Sequence, residues 1–205
     1  MSPAFDRQPG PGNTGGVTVP LPPLPPVGGE TTGPNVADVV TRQHRQLRKL
    51  CEQYLADGDP RTAQVLIASI SRHLSAEEQY LYPAVRSLVP DGPELVSREL
   101  DEDRALLEAC RLLESTDGQD LAVRLHRHTE AAAGELLPLL QRLAPVEDLV
   151  RLGNRFELAE EAAPTRPHPG TPVTPPWNKV VDPAVAIVDK VRDVVTRRTT
   201  YPKDL

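Results

Sequence analysis

Only two cysteines, Cys51 and Cys110, occur in 205 residues. A disulfide framework would want more of them in a shorter chain, so they read as buried thiols in a reducing compartment. No apolar run approaches the roughly 18 residues needed to cross a bilayer. The amino terminus lacks the charged-then-apolar layout of a secretory signal, and the location expected from these absences is cytoplasmic. Lys and Arg number 23 against 29 Asp and Glu, for a net charge of −6 without a basic stripe, which argues against a nucleic-acid surface. There is also no Gly-rich phosphate loop and no nucleophile motif, so an enzyme with an organic cofactor finds no support.

What the chain does hold is unevenly placed. Of its 23 Pro and 13 Gly, many gather in two clusters, because neither residue can be spread through helices without breaking them. One cluster, with Pro20-Leu21-Pro22-Pro23-Leu24-Pro25-Pro26, marks residues 1–35 as a disordered segment, and the other marks 164–178 as a linker. The region between reads as helix almost throughout. The first helix can start at an Asn35 cap and end before Gly58, with Val40, His44, Leu47, Cys51 and Tyr54 inward. A second opens with Asp59 as cap and Pro60 at its first position, and runs to about Val89 with Pro83 as a bend. A third follows Asp91-Gly92-Pro93 and a fourth follows Thr116-Asp117-Gly118. The short connections make neighbours antiparallel. The expected fold is therefore all-α: an up-down-up-down four-helix bundle over 36–144, an additional amphipathic helix over 145–163 using Leu149, Val150, Leu152 and Phe156, and a carboxy-terminal amphipathic helix and tail over 179–205.

His73-Leu74-Ser75-Ala76-Glu77-Glu78 is the most informative stretch. His73 and Glu77 lie four apart, neighbours on one helix face, and that face also carries Leu66, Ile70, Leu81 and Ala84, the side turned to the core. Two metal-competent groups thus occupy apolar positions, where each needs a partner. Inward-facing His and Glu from several helices are a standard way for bundles to build iron and manganese sites. Helices two and four echo each other, His73 with Pro83 and His128 with Pro138, as in a duplicated helical hairpin. Glu78 is rotated off the His73 face, and His126 points nearly opposite to His128. Glu135 sits seven residues from His128, about 10 Å along the axis.

These residues resemble the hemerythrin-like proteins with the cation-binding HHE domain. That family's pattern is a His on helix one, His-x-x-x-Glu and then an aromatic-Pro on helix two, a His on helix three, and His-x-x-x-Glu on helix four. His44 fits the first element; His73, Glu77 and Tyr82-Pro83 fit the second; His128 with Leu137-Pro138 fits the histidine and proline of the fourth. The segments Arg166-Pro167-His168-Pro169 and Pro175-Pro176-Trp177-Asn178-Lys179 are similar to tails of actinobacterial members. Two positions depart: the third-helix His falls on Arg104 and the second Glu on Ala132. The second half-site is degenerate.

The resemblance implies a metal site of His44, His73, Glu77 and His128 holding iron, with manganese or zinc also suited, as a mononuclear or an incomplete di-iron centre. Asp103 is a possible substitute ligand from helix three. It further implies a protein that senses, buffers or reacts with dioxygen, nitric oxide, peroxide or iron itself. The competing reading is a metal-free interaction or scaffold protein in which Arg104 pairs with Glu77 in place of the ion. Partners through the Pro-rich amino terminus or the carboxy-terminal helix would fit either reading.

Overall fold

The computed structural model describes residues 30–113, 118–163, 165 and 200–205. The Pro/Gly segment up to residue 29, the linker residues 164 and 166–178 with His168, and the amphipathic stretch 180–195 lie outside the described residues. The described residues form helices without a strand: α1 Val36–Asp57, α2 Pro60–Ala76, α3 Tyr82–Leu88, α4 Gly92–Leu112, α5 Gln119–Ala131, α6 Leu137–Leu143 and α7 Val146–Ala162, with a short 3-10 turn at Pro202–Asp204. No helix among them is long and apolar enough to cross a membrane.

The caps follow from the residues at each boundary. The Asn35 side chain accepts from the backbone N–H groups of Ala37 and Asp38 and so satisfies two donors left open at the start of α1. Gly58 ends α1 in the left-handed region at φ 63°, its N–H bonded 2.8 Å to the Tyr54 carbonyl. Asp59 then caps α2 by accepting from Arg61 N–H, with Pro60 where its missing N–H costs nothing.

The helix is not interrupted at Pro83. The chain from α2 to α3 stays helical because residues Glu77–Leu81 widen into a π turn, with Tyr82 N–H bonded to the Glu77 carbonyl. A proline ring clashes with the carbonyl four residues back, and the wider turn relieves that contact. The same device recurs between α5 and α6, where Ala132–Leu136 form a π turn ahead of Pro138 and Leu137 N–H bonds the Ala132 carbonyl. Each π turn starts four residues after a histidine, His73 or His128, so the two hairpins repeat one another in backbone as well as in sequence.

The bundle consists of α1, α2 with α3, α4, and α5 with α6. Its apolar interior is split into two clusters. One, around Val36, Val40, Leu81, Val85, Val96, Leu136 and Leu140, includes Leu152 and Phe156 of α7. The other, around Leu47, Leu66, Ile70, Leu106, Leu113, Leu121 and Leu125, fills the opposite end. Between them along each helix lies one buried polar residue or more: His44, His73 with Glu77, Asp103 and His128.

Helix α7 packs on α1 and α2 and encloses α2 so fully that nearly every residue from Thr62 to Ala76 is buried. Leu152 and Phe156 are wholly buried, and Leu149 and Val150 nearly so, each large apolar side chain contributing about 1.5–3 kcal/mol. The close approach depends on Gly153. A Cβ there would stand 2.6 Å from the Pro34 carbonyl oxygen and 3.0 Å from Val36 N, a collision with backbone that a rotamer change cannot relieve. Gly153→Ala is therefore expected to destabilise the protein by about 1–3 kcal/mol, even though alanine favours a helix by up to about 1 kcal/mol. A urea midpoint that falls at unchanged slope checks this; an unchanged or raised midpoint contradicts it.

Candidate metal centre

Four side chains from three stretches of helix converge in the layer between the two apolar clusters. His44 comes from the middle of α1, His73 from the last turn of α2, Glu77 from the first residue of the following π turn, and His128 from the last turn of α5. All four are buried, Glu77 completely. One ligand atom from each lies within 4.8 Å of all the others. His44 Nε2 stands 2.8 Å and His128 Nε2 3.4 Å from His73 Nε2. Glu77 Oε1 is 3.3 Å from His73 Nε2 and 3.7 Å from His44 Nε2, and Glu77 Oε2 is 3.5 Å from His128 Nε2. The structure thus brings together all four residues singled out in the sequence.

The outer atoms of the rings are held by a second layer. His73 Nδ1 donates to Gln43 Oε1 at 2.7 Å. His128 Nδ1 lies 2.9 Å from Asp103 Oδ1. Tyr82 Oη stands between Asp103 Oδ2 and Glu77 Oε2, 3.0 Å from the latter, with its shorter hydrogen bond to Asp103. Partners of this kind fix which nitrogen carries the proton and which faces inward. Asp103 does turn into the bundle, with Oδ2 bonded to Tyr82 and Oδ1, which like Glu77 Oε1 receives no hydrogen bond of good geometry, facing His128 Nδ1; it stands behind the four converging atoms rather than among them.

Burial sets the electrostatics. It pushes the His44 imidazole down to about 3, so this ring is neutral. Burial also opposes charge on His128, yet Glu77 and Asp103 outweigh it and raise that imidazole to about 9. Burial alone would raise the Glu77 carboxyl; the surrounding imidazoles, His128 above all, hold it well below the usual range. For Asp103 burial prevails and the carboxyl is raised. Tyr82 is pushed well up by burial and by the Asp103 and Glu77 carboxylates, so it remains a neutral donor. In the metal-free protein the cation that balances Glu77 is therefore the proton on His128.

Arg104 does not do that work. Its side chain is 51 % exposed and pairs with Asp101 one turn away, Nη1 to Oδ1 2.7 Å, which removes the Arg104–Glu77 pairing expected of a metal-free relic. The reason is register: Asp103 is the residue of that turn that faces inward, and Arg104 next to it faces solvent. Glu135 is likewise turned out and bonded to Arg98 at 2.7 Å, and His126 is exposed. Ala132 and Leu137 occupy the places in the second π turn that Glu77 and Tyr82 hold in the first, and both are buried. The second half-site therefore has apolar groups where the first has a carboxylate and a phenol.

The donor set suits a cation. Glu77 Oε1 is buried and receives no hydrogen bond of good geometry, although it faces the Nε2 atoms of two imidazoles. A buried carboxylate oxygen without a donor is costly, and an ion placed among these atoms would satisfy it. Three imidazole nitrogens and one carboxylate are borderline donors that fit iron, manganese or zinc. Beside the centre, a cavity of about 280 Å³ reaches His73 and is lined by Gln43, Arg72, Glu160 and Tyr201. Arg72, itself buried, donates to the Thr200 carbonyl at 2.9 Å and stacks on the Tyr201 ring at 4.5 Å, so the last residues of the chain dock beside α2. The cysteines are inert by comparison: both are buried thiols, Cys51 pushed up to about 11 by burial and Cys110 further up.

Several of these residues escaped the sequence reading. Gln43 adjoins His44 but carries no motif of its own, and Glu160 lies on a helix read only for its apolar stripe. Tyr82 was visible as half of an aromatic-Pro pair, though not its role, because a regular helix would place residues five apart about 140° from each other. The π turn brings Tyr82 onto the Glu77 side.

Comparisons with known proteins identify the domain. The hemerythrin HHE cation binding domain matches residues 35–152. An uncharacterized hemerythrin-like protein of Schizosaccharomyces pombe is 23% identical over 176 residues, covering 79% of this chain and 87% of the relative. No solved structure matches the chain. With a domain match over more than half its length and a buried His/Glu cluster at the bundle centre, this chain belongs to the hemerythrin HHE cation-binding family.

Proposed function

We propose that the protein binds a single first-row metal ion, foremost iron, through His44, His73, His128 and Glu77, and that it uses the ion to handle iron or to respond to dioxygen, nitric oxide or peroxide. The observation that carries this reading is Glu77: a carboxylate with no solvent exposure and one oxygen lacking a donor, surrounded by three imidazole nitrogens within 3.3–3.7 Å. One ion rather than two is favoured because the counterpart of Glu77 is Ala132 and Arg104 faces solvent.

Iron, when bound, supplies the redox and small-molecule coordination chemistry that these side chains lack. The protein's own part is to hold and isolate. Gln43 and Asp103 keep the Nδ1 atoms of His73 and His128 occupied, leaving Nε2 inward. Phe156 packs edge-on against the His73 ring at 5.8 Å and excludes water from that side. Tyr82 offers its one proton between the Glu77 and Asp103 carboxylates and keeps both oriented.

Purified protein from iron-replete cells is expected to carry about one metal ion per chain by elemental analysis, and His73→Ala to carry almost none. Metal-free wild-type protein under those conditions would support a scaffold role instead. The outer carboxylate and the nearby arginine should then separate cleanly. Asp103→Ala is expected to weaken metal affinity about 10–100-fold, whereas Arg104→Ala should leave affinity unchanged and alter stability by no more than about 1 kcal/mol, as for other exposed pairs. Competition titration against a chelator of known affinity reads both; a large loss in Arg104→Ala would contradict the geometry.

A further inference from the structure

Helix α7 reaches the metal centre through a chain of polar contacts that the family resemblance does not include. Gln43 Nε2 donates to Glu160 Oε2, and Gln43 Oε1 accepts from His73 Nδ1. Glu160 lies beyond residue 152, where the domain match ends. We propose that Glu160, acting through Gln43, is a positioning residue for the metal centre: it sets the direction of the Gln43 amide, which sets the tautomer of His73, which leaves the Nε2 lone pair facing Glu77. The inference rests on the metal-binding reading above.

The argument is one of donors and acceptors in series. An ionised carboxylate only accepts, whereas a glutamine amide has a donating end and an accepting end. The Gln43 NH₂ faces Glu160; burial raises the Glu160 carboxyl, and in its ionised form the reversed amide would set a carbonyl oxygen against a carboxylate oxygen. The carbonyl is then aimed at His73, and a ring nitrogen facing a carbonyl must carry the proton. A neutral imidazole has one N–H, so fixing it on Nδ1 frees Nε2 as an electron-pair donor. A reversed amide would do the opposite, offering N–H to Nδ1 and placing the ring proton on Nε2, where it would block coordination.

The surrounding contacts hold this chain in place. Phe156, one turn before Glu160 on α7, packs on the His73 ring with an interplanar angle of 61°. Glu157 pairs with Arg42 of α1 at 2.5 Å, next in sequence to Gln43. So α7 clamps α1 where Gln43 departs and the ring that Gln43 orients. His128 is held differently: its Nδ1 faces the Asp103 carboxylate directly, without an intervening amide or any residue of α7.

The test exchanges the two residues. In the full-length, metal-free wild-type protein, ¹⁵N NMR of the histidine rings should show His73 as the Nδ1–H tautomer. Gln43→Leu and Glu160→Leu should each lose that single form and weaken Zn²⁺ and Fe²⁺ binding about 10–100-fold. Gln43→Glu alone sets two carboxylates face to face and should also weaken binding. The exchanged variant, Gln43→Glu with Glu160→Gln, restores the series, since the carboxylate at 43 accepts from His73 and the amide at 160 donates to it; tautomer and most of the affinity should return. An exchanged variant that is folded yet binds no better than Gln43→Glu, or a Glu160→Leu protein with wild-type tautomer and affinity, overturns the proposal. Where the leucine variants fail to fold, the exchanged variant decides alone. Failure of the wild-type chain to bind metal would sink the metal reading, while the tautomer measurement, made without metal, still reports on Glu160 and Gln43.

Discussion

Everything in the middle of this bundle answers to one buried carboxylate. Glu77 has no solvent exposure, and removing an ionised carboxylate from water costs several kcal/mol unless charge and hydrogen bonds offset it. The structure supplies three imidazoles on its inner side and a phenol on its outer side. Gln43 and Asp103 in turn stand against the outer nitrogens of two of them, His73 and His128.

The two π turns show how the helices put that layer where it is. Each proline forces a widened turn just ahead of it, and each widened turn begins four residues after a histidine. In the first copy the turn faces Glu77 and Tyr82 toward the same interior point. In the second the same backbone presents Ala132 and Leu137. The backbone device is retained in both hairpins, while the chemistry is retained in one. That asymmetry supports the proposed single-ion reading, since Glu135, bonded to Arg98 at the surface, does not supply the missing carboxylate and Arg104, a cation facing solvent, supplies no ligand at all.

Helix α7 changes the meaning of the bundle. A four-helix arrangement alone would leave one side of α2 open, and His73 with it. By packing Leu152 and Phe156 onto α1 and α2, α7 turns α2 into a central helix and covers one face of the His73 ring. Low local polarity strengthens the remaining electrostatic contacts. The glycine at 153 marks how closely that packing is drawn.

Much of this was legible in the chain alone. Helix positions followed from apolar spacing, caps such as Asn35 and Asp59, and stops such as Gly58, all of which act within a few residues. The grouping of His44, His73, Glu77 and His128 followed from their inward register on helices joined by short connections. What stayed hidden depended on distances between elements or on a change of helical register. The inward turn of Asp103 beside the outward turn of Arg104, the swing of Tyr82 onto Glu77, and the link from Glu160 to His73 each depend on backbone set by packing. Local pattern determined which residues could form a metal layer; tertiary packing decided which nitrogen of each ring faces inward and which carboxylates stand behind it, because hydrogen-bond partners distant in sequence are chosen by the fold.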